Sequence, residues 1–175
     1  MNILELITHN LIGVIIQILC FRFLLFPLNI VCTILFAHLS HIFCDALSII
    51  TYHTPDVQKG NKFWIIWHWI IYLLSAISFF VFLIPYWLGM LFANIIDIWD
   101  WFILRPIQNK KREKNPESKW GEKYYLHWTI DWVRDKLFFW LPVRNYKKSG
   151  IMIEIFIIII LSVILGFLGP SLYIT

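Results

Sequence analysis

Near its end the chain carries nineteen consecutive residues, "IMIEIFIIIILSVILGFLG" (151–169), in which Glu154 is the one charged side chain. A helix rises about 1.5 Å per residue, so ~20 such residues cross the ~30 Å hydrocarbon layer of a bilayer. Within lipid every backbone N–H and C=O must find its partner inside the segment, which leaves a helix as the open solution for an isolated run. Four further blocks repeat the pattern: Ile3–Arg22, Leu28–Ile50, Phe63–Ile84 and Tyr86–Leu104. The composition agrees, at 59% hydrophobic and 15% charged over 175 residues. A soluble domain is about 45–50% apolar and about a quarter charged.

The breaks between blocks have turn chemistry. Pro27 and Pro85 each interrupt a helix, and "HTPDVQKGNK" (53–62) combines Pro55 with Gly60 and Asn61. The segment "YYLHWTIDWVRDKLFFWLP" (124–142) mixes aromatic and charged residues at helical spacing, too polar to cross and suited to lying in the interface. The expected fold class is an all-α integral membrane protein, with about five transmembrane helices plus one interfacial amphipathic helix. Residues 1–104 form a four-helix transmembrane region of two helical hairpins. Residues 105–149 form a basic cytoplasmic connector with the interfacial helix, and 150–175 the C-terminal transmembrane helix. The opening "MNILELITHN" lacks a basic flank and reads as a retained span rather than a signal peptide. With a cytoplasmic N-terminus, every Lys and Arg except Arg22 falls on the cytoplasmic side, as the positive-inside rule prefers. A bacterial inner membrane and a mitochondrial inner membrane both satisfy this pattern. Cys20, Cys32 and Cys44 lie in apolar segments and read as buried free thiols.

Under this threading the acidic and imidazole side chains gather at the cytoplasmic end. His38, His41 and Asp45 lie on one face of the second span, while Asp97 and Asp100 close the fourth. His9, His68 and Glu154 lie near the same end, and His53 and Asp56 in the adjoining loop. Charged groups in a bilayer are costly and mark partners, cavities or ions. His41/Asp45 and His127/Asp131 are both H-x-x-x-D pairs, which puts an imidazole and a carboxylate one turn apart on one helical face. The expected metal ligands are His41, Asp45, His127, Asp131 and His38. His68 is expected as a further ligand or base, and Asp97 and Asp100 as orienting or general-base groups. Mixed nitrogen and oxygen donors suit a divalent zinc, manganese or iron ion. No phosphate-binding loop, serine-nucleophile elbow, CxxC or H-E-x-x-H occurs.

The segments "ITHNLIG" (7–13) and "LSHIFCDAL" (39–47) resemble parts of the small inner-membrane proteins classed as membrane-bound metal-dependent hydrolases. That resemblance implies helices with His and Asp at their ends, including a Ser-His-x-x-x-Asp element, with His9, Ser40, His41 and Asp45 as the carried-over positions. The family's His-Arg-x-x-Thr-His-Ser-like segment has no counterpart here. The expected function is divalent-metal-dependent hydrolysis of a lipid-linked substrate at the cytoplasmic interface. The alternative is a non-catalytic subunit of a larger membrane assembly, with its polar residues paired to neighbouring subunits. Membrane lipids and other membrane-protein subunits are the expected partners. The basic connector reads as a headgroup-facing loop, and nucleic acid is not expected.

Overall fold

The computed structural model describes residues 6–52, 54 and 58–169, and among these the secondary structure is helical throughout. Helix α1 spans Leu6–Phe23, α2 Leu28–Leu47 and α3 Lys62–Asp97. A π-helical turn, Ile98–Leu104, joins α3 to α4 (Arg105–Lys114), and α5 (Trp128–Leu137) and α6 (Ser149–Leu168) follow. Four helical stretches are long and apolar enough to cross a membrane: Leu6–Phe23, Leu28–Ile50, Lys62–Lys114 and Ser149–Leu168. Glu5, His53 and Asp56 lie outside the described residues.

The distribution of polarity is inverted relative to a soluble domain. Phe80, Ile84 and Phe167 are 78%, 85% and 88% exposed, while His9, Asn10, Thr33, His41 and Asp100 are fully buried. An exterior of large apolar side chains around a polar, hydrogen-bonded interior is what a hydrocarbon solvent selects.

The third stretch folds back on itself. Asn10 donates through Nδ2 to Ser78 Oγ at 2.9 Å and accepts at Oδ1 from Asn94 Nδ2 at 3.0 Å. Residues 78 and 94 would lie about 24 Å apart on a straight helix. One asparagine reaches both because the chain reverses at Pro85–Tyr86, where Tyr86 leaves helical geometry (φ −128°, ψ 30°). In an unbroken helix Gly89 N–H would bond to the Pro85 carbonyl alone. Gln17 of α1 bonds to both groups: its Oε1 accepts from Gly89 N at 2.8 Å, and its Nε2 donates to Pro85 O at 3.4 Å. Gly89 is also where backbones touch, since a Cβ on Gly13 would stand 2.6 Å from the Gly89 carbonyl oxygen. Gly89 and Ala93 make the small-xxx-small spacing that lets helices approach closely in lipid. We call 62–84 the outgoing arm and 87–97 the returning arm.

The ends are then fixed. Ile7 and Leu11 pack with Trp67, Ile71, Tyr52 and Ile151, while Val14 and Ile18 pack with Tyr86 and Met90. So α1, the outgoing arm and α6 run one way, and α2 and the returning arm run back. The expected interfacial helix is shorter than 124–142, and it is docked by Ile130, which is buried with Ala46 of α2 and Ile96 of the returning arm. Trp128 and Trp132 face outward.

Candidate metal centre

The C-terminal turns of α2 place His41 and Asp45 one above the other, both buried. Residue 97 ends the returning arm, and the π turn after it carries Asp100 inward to full burial. Such wide turns recur at functional sites because the extra residue re-aims the side chains around it. His127, just ahead of α5, completes the group. One donor atom from each of His41, Asp45, Asp97 and His127 lies within 4.8 Å of the others.

The separations divide into two classes. His41 Nε2 is 3.3 Å from Asp45 Oδ2, His127 Nε2 is 3.5 Å from the same oxygen, and His127 Nε2 is 3.3 Å from Asp97 Oδ1. These are long for charge-assisted hydrogen bonds, which run about 2.7–2.9 Å. Two ligands each ~2.1 Å from a tetrahedral ion stand roughly 3.4 Å apart, so the three distances match edges of a coordination polyhedron. The second class is short: His127 Nδ1 lies 2.6 Å from Asp100 Oδ2.

The ring nitrogens facing away from the centre fix the orientation of those facing in. His41 Nδ1 donates to the Ala93 carbonyl at 2.8 Å, and His127 Nδ1 donates to Asp100. Each Nε2 is thereby turned to the shared centre, the arrangement by which outer carboxylates and carbonyls orient metal-binding histidines. His41 Nε2 and Asp45 Oδ1 are buried without a hydrogen-bond partner. His9 Nε2 approaches that Asp45 oxygen at 2.8 Å, off hydrogen-bond alignment, and its ring stacks on His41 with centroids 4.3 Å apart. A buried Nε2 without a hydrogen-bond partner, standing beside the Asp45 carboxylate, is what an ion would satisfy. The residues present therefore fit a divalent cation.

Asp100 anchors the connector by accepting from the backbone N–H of Leu126 and of His127, each at 2.9 Å. Burial alone would lower the pKa of His127, but its contacts with Asp100, Asp45 and Asp97 outweigh that and push it up to about 12. The three carboxylates thus favour the protonated imidazole. The centre is closed on the α1–α2 side and accessible on the other, where the Asp97 and His127 side chains are 20% and 15% exposed.

Other expected site residues fall elsewhere. Asp131, expected as the partner of His127, is a largely exposed side chain bonded to Arg134 at 2.9 Å, and Arg134 in turn donates to the Asp45 carbonyl. Its role is to hold α5 on the end of α2. His38, expected as a ligand, lines an apolar groove beside Ile34, Leu35 and Phe92. His68 bonds to the Trp64 carbonyl and stacks on the Trp64 ring. Glu154 is buried in α6, apart from this group. Asp97, expected as an orienting or general-base group, stands among the donor atoms, and Asp100 stands behind His127. His127 meets Asp45, Asp97 and, through Nδ1, Asp100, but not Asp131; the π turn that brings Asp100 there has no signature in residue spacing. Comparison of the chain with models of protein families, with characterised proteins and with solved structures found no match.

Proposed function

We propose that this chain is a five-span membrane protein, with 105–149 on the cytoplasmic side of an inner membrane, whose His/Asp centre binds one divalent cation for hydrolysis of a lipid-linked substrate. The observation that carries the reading is the convergence of two oriented Nε2 atoms and two carboxylates at ligand-edge spacing. The segments that resemble membrane-bound metal-dependent hydrolases supply His9, His41 and Asp45, three of the converging side chains. Zinc, manganese and iron suit this donor set. When bound, such an ion supplies Lewis acidity, polarising a carbonyl or phosphoryl oxygen and acidifying water.

The chain's own groups have separable tasks under this reading. His41 and Asp45 hold the ion from the buried side, while Asp97 and His127 hold it from the accessible side. Asp100 keeps the Nδ1 proton of His127, so its Nε2 lone pair points inward. With three N–H donors on it and no exposure, Asp100 is placed to orient His127 rather than to meet water. Asp97 has a partly exposed carboxylate and is placed to accept a proton from water at the open side.

The test is the metal content of detergent-purified protein by mass spectrometry, for wild type and for the His41→Ala/His127→Ala double variant. Close to one zinc, manganese or iron per chain, absent from the double variant, supports a shared centre and directs assays to lipid esters and phosphoesters. Wild type that takes up no metal after reconstitution with zinc or manganese refutes it and favours the subunit alternative.

A further inference from the structure

Three consecutive residues of the connector touch three different environments. His127 belongs to the metal centre. Leu126 lines an apolar groove of about 620 Å³ whose walls are Val31, Ile34 and Leu35 of α2 and Phe92, Ile95 and Trp99 opposite. Tyr125 lines a polar pocket of about 430 Å³ with Arg105, Gln108, Asn109, Arg112 and Glu122. The Tyr125 and His127 rings are stacked with centroids 5.2 Å apart, so the polar pocket adjoins the centre. The groove adjoins it too, because Leu126, which lines the groove, immediately precedes His127 and donates its N–H to Asp100, and Trp99 Nε1 is bonded to the Tyr124 carbonyl.

We propose that the substrate of this centre is an anionic phospholipid, with one hydrocarbon chain in the groove between α2 and the returning arm and its phosphate in the Arg105/Arg112 pocket. The linkage between chain and phosphate then faces the His/Asp centre. The inference rests on the metal-centre reading for what lies opposite that linkage, though not for the binding itself.

The groove suits a hydrocarbon chain in direction and chemistry. From Val31 to His38 it follows α2 for about 10 Å toward the end of the bundle remote from the centre, as a lipid tail runs from the headgroup level to the midplane. Val31 and Leu35 are 54% and 50% exposed, so it opens sideways to surrounding lipid. The pocket suits an anion. Arg105 Cζ stands over the Trp101 ring, 3.6 Å from its centroid, and among the described residues its N–H groups carry no hydrogen bond. Arg112 is 3.7 Å from Glu122, an exposed and therefore weak pairing that a phosphate can displace. The connector from 105 to 123 carries seven Lys and Arg against three Glu, a field that draws anionic headgroups to this end. A free phosphate would use the pocket but leave the groove empty. A neutral lipid would use the groove but leave the arginines unmatched.

The experiment is native mass spectrometry of the full chain in non-ionic detergent, titrated with phosphatidylglycerol, diacylglycerol or glycerol phosphate, with and without chelator. The expected result is at least tenfold tighter retention of phosphatidylglycerol than of either other ligand. Arg105→Gln/Arg112→Gln removes that preference yet leaves the diacylglycerol adduct. Leu35→Trp and Val31→Phe, both at exposed positions on the groove wall, weaken both lipids tenfold and leave glycerol phosphate unchanged. Equal retention of the two lipids, or tight glycerol phosphate binding insensitive to the groove variants, overturns the proposal. Metal content is read on the same samples. Phosphatidylglycerol preference in a chain that binds no metal refutes the metal centre alone; metal uptake without that preference refutes the lipid assignment alone.

Discussion

Replacing Asp100 by asparagine tests the centre where it is most buried. The carboxylate accepts from Leu126 N, His127 N and His127 Nδ1, the last at 2.6 Å, and is fully buried. An amide keeps a single acceptor oxygen and turns an NH2 group on the remaining donors, so at least one charge-assisted bond, worth about 1.5–3 kcal/mol, is lost. The imidazole then loses the contact that holds its Nε2 inward. Loss of such an outer partner typically costs 10–100-fold in metal affinity, or about 1.4–2.8 kcal/mol. The assay is competition with a chromophoric chelator for zinc, on wild type, Asp100→Asn and Asp131→Asn. Asp131, an H-x-x-x-D partner in sequence but 61% exposed and paired with Arg134, is expected to cost less than about fivefold, since exposed pairs contribute ~0–1 kcal/mol. Unchanged affinity in Asp100→Asn, or an equal loss in Asp131→Asn, would refute the assignment of His127 and its orienting carboxylate.

Two further perturbations probe the charge balance and the reversal of α3. The His127 pKa is raised from 6.5 to about 12 in the fold, so its contribution to the metal-free protein is complete below pH 6.5 and declines as pH rises toward 12. Chelator-treated protein should lose thermal stability from pH 6.5 to 9 with a slope that His127→Gln flattens; a slope unchanged by that variant counts against the bridging proton. Gln17→Leu strips the partners from Gly89 N–H and the Pro85 carbonyl, at about 1–3 kcal/mol for each buried group left unpaired. A sodium dodecyl sulfate unfolding titration should register the loss, and wild-type stability would mean that something other than Gln17 satisfies the turn.

Much of the architecture is written in hydrophobic block length and proline position, because a lipid solvent permits few alternatives. Pro85 marks a break between two blocks, and Asn10, bonded to both arms, shows the break to be a full reversal. The His41/Asp45 pair is legible because both residues sit on one continuous helix, where four residues mean one turn. The His127/Asp131 inference fails at the helix start. His127 is the N-cap of α5 and its carbonyl accepts the Asp131 N–H at 3.0 Å, but its side chain is turned inward by Asp100 while that of Asp131 lies on the wet face with Arg134. His38 shares α2 with His41 but stands three residues, about 4.5 Å, farther from the helix end and lines the groove; the phase of His68 depends on how the outgoing arm is rotated about its axis, which spacing within one helix leaves open. Gln17 gave a signal that sequence reasoning passed over: an amide in an apolar block needs partners, and backbone groups freed by a proline are a ready supply.

The anchoring of residues 126 and 127 by Asp100 bears on how the chain is made. Asp45, Asp97 and Asp100 are all synthesised before His127, the residue that contacts all three. Ahead of it in the chain, the imidazoles beside Asp45 are those of His9 and His41. The connector's arrival thus completes the electrostatics of helices laid down before it. A nascent chain halted before residue 127 would therefore hold a bundle whose inner charges have yet to be settled.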